Sequence, residues 1–413
     1  MIKKTLMAAV ILLLLAAPAI AQPDEDKPSV WLLSFYPFGP TNAIQTGMLD
    51  VLEAYGFISP EDRSDQRMQV MIESADNSPI EFNRLEANFQ LDRLRELVAF
   101  ALDHEPDVLV TISAPMTLAA LQATDDMDDP PAIFFTDVYN PYEAGIAQAP
   151  CIKPDHIAGT QSLIDYEAIA RLPLLQNPDA TTIGAIYNSG DASGAYGAGQ
   201  IAAMGESLGL TVEEAAVTSL ADLALATEGL VSKGAEAILL PMDYMMLAGL
   251  PLISGVAMEQ GIPVYFASLD GMILGATVGA GFSQILELGD AVGLMVAAYL
   301  AGELDPASTG ISALAAGDMV VGINMHTAGQ MGFSFSQDLL ERADMSLTMN
   351  EEAGLPSIMP VSPAAQAAVG QAFFGGPEPL EARQERDRAF LAGLACTAEQ
   401  IAEQQAELDA MEG

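Results

Sequence analysis

From residue 28 to about residue 330 the chain alternates short apolar runs with stretches of helical periodicity. Val30–Ser34 is a continuous apolar run of strand length, after which Ile44, Met48, Val51, Leu52 and Tyr55 recur at the spacing of one helix face. Asn42 with Gln45 three residues on matches a capping box for that helix. Gln69–Ile72 predicts a second strand, and Leu94, Leu97, Val98, Ala101 and Leu102 the next helix. Asp107–Ile112 then predicts a strand, Pro115–Ala123 a helix and Ala132–Phe135 a strand. The unit repeats as strand Thr182–Tyr187, helix Ala192–Leu208, strand Leu210–Ala216 and helix Leu220–Ser232, the last with Ser219 as its cap. Strand Ala235–Leu240, a helical stretch to Gln260 that Pro251 should kink or restart, and strand Ile262–Phe266 complete it.

Strands alternating with helices of this length predict parallel sheets joined by right-handed crossovers, an α/β fold. Two consecutive sets predict two such domains, with a first boundary in the Pro- and Gly-bearing, weakly periodic stretch Pro141–Ile164. The chain changes character after Asp344. Pro356, Pro360, Pro363 and Gly375-Gly376-Pro377 break it, and Glu381–Met411 reads as a polar helix, so 345–413 is expected to be a helical C-terminal extension.

Composition narrows what such a chain can do. It has 413 residues, 15 Lys+Arg against 56 Asp+Glu, and a net charge of −41. Few cations are available to track phosphates, which argues against a nucleic-acid partner and against an anionic membrane surface. With 51% apolar residues the acidity decorates a folded protein and does not mark a disordered one. Residues 1–21 have the form of a secretory signal peptide: Lys3 and Lys4, an apolar run from Leu6 to Ala17 that is short for a bilayer span, and Ala19-Ile20-Ala21. Its removal would take the charge to −43 and leave an exported, periplasmic protein. Export permits a disulfide between Cys151 and Cys396, which would staple the extension to the body; two separate structural cysteines is the other reading. His104, His156 and His326 are isolated, so no metal site is expected, and no cofactor motif is present.

In open parallel sheets ligands bind beyond the carboxyl ends of the strands. Those ends carry aromatics, hydroxyls and single carboxylates here: Phe35 and Tyr36 after the first strand, Ser113 and Ala114 after the third, Thr136, Asp137 and Tyr139 after the fourth. The second set contributes Asn188, Asp243, Ser268 and Asp270. Each has a plain structural alternative. Ser113–Thr117 is either a strand-to-helix turn with Pro at the first helical position or an anion cradle of free N–H groups. Asp137, Asp243 and Asp270 are either turn and cap residues or acceptors for a ligand amine or hydroxyl. Phe35, Tyr36 and Phe38 are either core or a ligand platform, and Trp31 is expected to pack. No nucleophile, base or triad spacing is found, so no enzyme is expected.

Taken in order, Asp107–Val110 with Ser113-Ala114-Pro115, Ala132–Asp137 with Asn140-Pro141, Ile157–Thr160, Ile183–Asn188, Ala216-Val217-Thr218, Ile262–Ala267 and Gly289 resemble the tryptophan/tyrosine-type periplasmic substrate-binding proteins of ABC transporters, over about residues 30–332. The resemblance implies the type I periplasmic-binding-protein architecture, two Rossmann-like lobes joined by three crossovers. Lobe 1 would hold 28–157 and 277–305, lobe 2 158–276 and 306–330. It further implies a monomer that closes on a small organic ligand, such as an amino acid, and delivers it to a membrane permease. A ligand sensor of the same fold, signalling to a membrane receptor, is the alternative. Ser113–Pro115 would hold a carboxylate, and Asp137 and Asp243 an amino group. The chain departs from the family pattern in its shifted Pro115, in Val138-Tyr139-Asn140 inserted before Pro141, and in Met242 before Asp243.

Overall fold

The structure is a computed structural model that describes residues 27–36, 40–63, 77–282, 284–350, 355–367 and 378–412. The expected signal peptide, the expected strand Gln69–Ile72 and Phe38 lie outside the described residues. Two sheets form two lobes. The first sheet has six strands, β1 (Ser29–Ser34), β2 (Glu81–Glu86), β3 (Val108–Ile112), β4 (Ala132–Val138), β5 (Ile157–Ser162) and β11 (Ile311–Leu314), in the order β11-β5-β4-β3-β1-β2. Every pairing in it is parallel. The second has eight: β6 (Thr182–Asn188), β7 (Thr211–Val217), β8 (Ile238–Leu240), β9 (Val264–Phe266), β10 (Val278–Phe282), β12 (Met319–Asn324), β13 (Met345–Asn350) and β14 (Leu355–Pro360). Their order is β14-β13-β12-β10-β9-β8-β6-β7. The buried runs β1, β3, β4 and β8 are apolar on both faces because helices cover both.

The helices follow the expected rhythm: α1 (Pro40–Ala54), α2 (Arg93–Leu102), α3 (Ala114–Thr124), α4 (Tyr166–Gln176), α5 (Ala192–Ser207), α6 (Leu223–Ser232), α7 (Tyr244–Glu259) and α8 (Gln284–Leu300). Two short helices, α9 (Met325–Met331) and α10 (Gln337–Arg342), precede β13. Pro251 is accommodated inside α7, which runs through it. Asn42 and Gln45 are not a capping box. Both lie inside α1, and their carbonyl oxygens accept hydrogen bonds from Arg84 on β2, a strand that shows no strand pattern in sequence. Ser219 begins a 3-10 turn, and its hydroxyl donates to Asp222 (2.7 Å) and makes no cap bond to a backbone N–H. Trp31 packs, with Phe100 and His104 against its ring.

The chain passes between the sheets three times, after β5, after β10 and after β11. These crossovers differ from the boundaries expected from sequence. β5 (Ile157–Ser162) completes the first sheet and does not open the second, β10 belongs to the second sheet, and β11 returns to the first. The lobe bounds implied by the resemblance cut into or just before these strands; hydrogen-bond pairing, invisible in one sequence, decides membership. After β10, α8 lies on α1. The two helices approach so closely that a Cβ on Gly289 would sit 2.1 Å from the carbonyl oxygen of Ile44, and one on Gly47 would sit 2.4 Å from that of Leu286. Larger residues at either position would push α8 off the first lobe.

The segment from 345 is not purely helical. β13 pairs parallel to β12 and antiparallel to β14, so its first part widens the second sheet. Two further helices follow, α11 (Leu380–Gly393) and α12 (Ala398–Glu412), and α11 docks on the first lobe. Arg383 is 2% exposed there, with Nε on Asp387 Oδ2 (2.6 Å) and Nη2 on Asp290 Oδ2 of α8 (3.3 Å), while the Tyr55 hydroxyl donates to Asp387 (2.9 Å). Cys151 and Cys396 form a disulfide across 245 residues of sequence. Beside it, Gly310 N–H donates to the Leu394 carbonyl (2.7 Å) and Cys396 N–H to that of Ser308 (2.9 Å). The C-terminal segment is therefore fixed to both lobes. Among the described residues no helix is long and apolar enough to cross a membrane.

Candidate functional site

The carboxyl ends of β1, β3 and β4 face those of β8 and β9 across the gap between the lobes, and the lobes touch there. The Tyr244 ring, from the start of α7, lies 5.1 Å from Phe35 and 5.4 Å from Tyr36; Phe89 packs on both of the latter. Two first-lobe aromatics thus meet one second-lobe aromatic, with Phe89 packed behind them. Of these, Phe35 and Tyr36 were marked by the sequence. Phe89 follows β2, the strand the sequence pattern hides, and the signal for Tyr244 was its place directly after Asp243 at a strand end.

Two cavities lie at this junction. The smaller, about 40 Å³, is lined by Asp137 and Tyr139 of the first lobe, Met242 and Ser268 of the second, and Gln284 at the second crossover. The larger, about 320 Å³, is mostly apolar and is lined by Tyr36, Phe89, Leu247, Ile273 and Leu274, with Asp270 at its side. Met242 lines both, which makes them neighbours.

Backbone geometry aims the first-lobe groups into this junction. Ser113 has φ 92° and Asp137 has φ 54°, the left-handed region that costs a residue with a side chain on the order of 1–3 kcal/mol. Asn88 and Phe89 share the region, at 52° and 61°. The β4–β5 register shifts between Phe135 and Val138, and this irregularity turns Asp137 out of the ladder. Asp137 is 2% exposed, and its Oδ2 has no hydrogen-bond partner among the described residues. Burial pushes its carboxyl up to about 7, against the pull of the Tyr139 hydroxyl. Burial raises Asp270 to about 6. The hydroxyls of Tyr36, Ser113 and Tyr244 are likewise buried; that of Tyr36 is unpartnered among the described residues, and those of Ser113 and Tyr244 lie close enough to interact with each other. Buried polar atoms are nearly always satisfied, so a cluster of orphans on one cleft makes it the candidate site.

The structure gives other expected site residues different work. Asp243 is fully buried and caps α7: Oδ1 accepts from the N–H groups of Met245 (2.8 Å) and Met246 (3.2 Å), Oδ2 from that of Asn188 (2.6 Å). Both oxygens are engaged, and burial raises this carboxyl to about 6 against those bonds. Asn188 closes a turn by accepting from Gly190 N–H (2.9 Å). Thr136 shares its hydroxyl with Thr160 inside the first sheet (2.9 Å). Ala114 begins α3 and is buried, and Ser113 precedes it without making a side-chain cap bond. Ser268 does cap the turn Leu269–Met272, accepting from Asp270 N–H (3.3 Å), and still lines the smaller cavity. Asp137, Tyr139, Ser268, Asp270, Phe35, Tyr36 and Ser113 are therefore gathered, and Asp243, Asn188 and Thr136 hold the scaffold.

Two lobes of mostly parallel sheet, three crossovers and a cleft lined by orphaned polar groups define the type I periplasmic-binding-protein fold. Residues 67–347 match the family of ABC transporter substrate binding proteins, and the chain belongs to that family. A tyrosine-binding protein of Clostridioides difficile is 25% identical over 198 residues, 48% of this chain and 55% of that one, so the chain spans about half the length of this curated relative. A solved ABC domain of Streptococcus pneumonia in complex with L-Trp superposes with TM-score 0.63 at 19% identity, covering 78% of this chain and 100% of that one. A conserved domain protein of Vibrio cholerae gives TM-score 0.63 at 23% identity over the same shares. The ligand-free, open structure of a substrate binding protein with adhesive properties from Clostridium difficile gives 0.54 at 21% identity, covering 76% and 98%. The family match ends at residue 347, so α11 and α12 lie beyond it.

Proposed function

We propose that this protein captures a free amino acid, one with an aromatic or large apolar side chain, between its lobes and hands it to a membrane permease after export to the periplasm. One observation carries the reading. An unpartnered, buried carboxylate oxygen of Asp137 lies beside an apolar cavity of about 320 Å³ lined by Tyr36 and Phe89. A carboxylate in that setting suits an ammonium group, and an aromatic-walled cavity suits a ring or branched chain. The buried Ser113 hydroxyl, preceding α3 and beside Tyr244, would take the ligand carboxylate. The relatives' ligands, tyrosine and L-Trp, agree with this chemistry. A disulfide also fits an oxidising compartment outside the cytoplasm.

The test is a thermal-shift screen of the purified chain against the twenty amino acids, common sugars and carboxylic acids without an amino group, followed by calorimetry. Aromatic or large apolar amino acids should raise the melting temperature by mass action. A response confined to sugars or to acids without an amino group would overturn the reading.

A further inference from the structure

Gln284 opens α8 at the second crossover and is 4% exposed. Its side-chain Nε2 donates to the Leu163 carbonyl at the first crossover (2.7 Å). Its backbone N–H points to the carbonyl of Ala316 at the third (3.4 Å), and Leu163 N–H donates to the Leu314 carbonyl (3.0 Å). One residue thus ties together the three connections about which the lobes must turn. The bond to Leu163 also fixes the orientation of the amide. A carbonyl can only accept, so the nitrogen faces Leu163 and Oε1 faces away.

That oxygen has no partner among the described residues, and neither has Asp137 Oδ2. Both residues line the same cavity of about 40 Å³, with Ser268 on its second-lobe side. Two buried acceptors around one small space call for a donor. The volume takes a group of the size of a water or an ammonium and excludes a ring. A ligand carboxylate would meet two acceptor oxygens and be repelled. A hydroxyl has one proton to give, whereas an ammonium has enough for every acceptor on the wall.

We propose that Gln284 is a positioning and specificity residue, whose Oε1 and Asp137 Oδ2 together receive the ligand's ammonium while its amide nitrogen and backbone pin the crossovers. This rests on the reading of the chain as a receptor for amino acids. It makes amine recognition and lobe arrangement one event: the ammonium is held only when the three crossovers are gathered as they are here. A hinge carries that coupling best when the ligand touches the hinge itself.

The experiment compares L-phenylalanine with 3-phenylpropionate, which keeps ring and carboxylate but lacks the ammonium, on the full mature chain by calorimetry. Wild type should prefer L-phenylalanine. Gln284→Met keeps the length and removes both the acceptor and the Nε2 bond to Leu163; loss of the pin affects both probes alike, so L-phenylalanine should weaken about tenfold to a hundredfold more than 3-phenylpropionate does. Gln284→Glu retains an acceptor oxygen and should retain the preference for the amine; it serves as the second variant should Gln284→Met fail to fold. Equal losses on both probes, or loss of the amine preference in Gln284→Glu, would make Gln284 a purely structural pin and overturn the proposal. Unchanged L-phenylalanine binding in Gln284→Met would mean that the cavity holds only water. A wild type that binds no amino acid would instead overturn the broader reading, and the proposal with it.

Discussion

Asp137 and Asp243 occupy equivalent places at strand ends and have opposite surroundings. Asp243 accepts three backbone N–H groups; Asp137 Oδ2 accepts none among the described residues. Their substitutions should therefore separate. Asp137→Asn should weaken an amino-acid ligand by at least tenfold in calorimetry, because a charge-assisted bond becomes a neutral one, and should leave the melting temperature of the free protein unchanged or raised. Asp243→Ala should lower stability by about 2 kcal/mol in denaturant titration through loss of the cap and of the bond to Asn188. The pH dependence follows from the same groups. Burial holds Asp137 near 7, and Asp243 and Asp270 near 6, all above the value of an unfolded chain. The folded state then binds more protons than the unfolded state between about pH 4 and 7. The stability of the free protein from these groups is complete below that window and is lost as pH rises through it. Ligand affinity runs the other way, because an ammonium pairs with ionised Asp137, and should rise with pH up to about 7 and then level off. Melting curves and calorimetry from pH 5 to pH 8 check both signs. That Asp137 stood at a strand end was legible in sequence. That its lone pair stays free was not, since it depends on a register shift against β5 and on a left-handed backbone.

At the scale of elements, the strand-helix rhythm was legible wherever a strand is buried on both faces, as in β1, β3 and β4. It failed at β2, where Glu81, Asn83, Arg84 and Glu86 interrupt the pattern at a sheet edge. It failed again at β13 and at β14, whose Pro356 and Pro360 read as breaks. Pro356 and Pro360 are tolerated because β14 is the outermost strand, where a missing N–H leaves no ladder bond unmade. The polar composition of α11 likewise conceals its docking. Arg383 is the anchor, and Arg383→Ala should lower stability by about 3 kcal/mol by leaving the buried Asp387 with the Tyr55 hydroxyl and the more distant Arg386 as its remaining partners. Chemical denaturation measures it, and an effect below about 0.5 kcal/mol would place α11 off the body in solution. Cys396→Ser should lower stability by about 2–4 kcal/mol under oxidising conditions and by nothing under reducing ones.

Over the whole molecule, the net charge of −41 spreads across a surface with few cations to pair it. Raising salt from about 0.1 M to about 1 M shortens the screening length from about 10 Å to about 3 Å and relieves that repulsion. The melting temperature should rise across this range, and a flat response would mean that the carboxylates are already compensated. The sequence by itself determined the class of fold, the alternation of strand and helix, the acidic surface and the set of strand ends from which a site could be made. Each of these depends on residues near one another in the chain, whose periodicity and charge are local properties. Only the tertiary structure decided which strand belongs to which lobe, that the C-terminal segment is fixed to both, and that Gln284, Tyr244 and Phe89 stand with Asp137. Those outcomes depend on hydrogen bonds and contacts between residues far apart in the chain, such as Tyr55 and Asp387, 332 positions apart, and a single sequence carries no record of which distant group satisfies which.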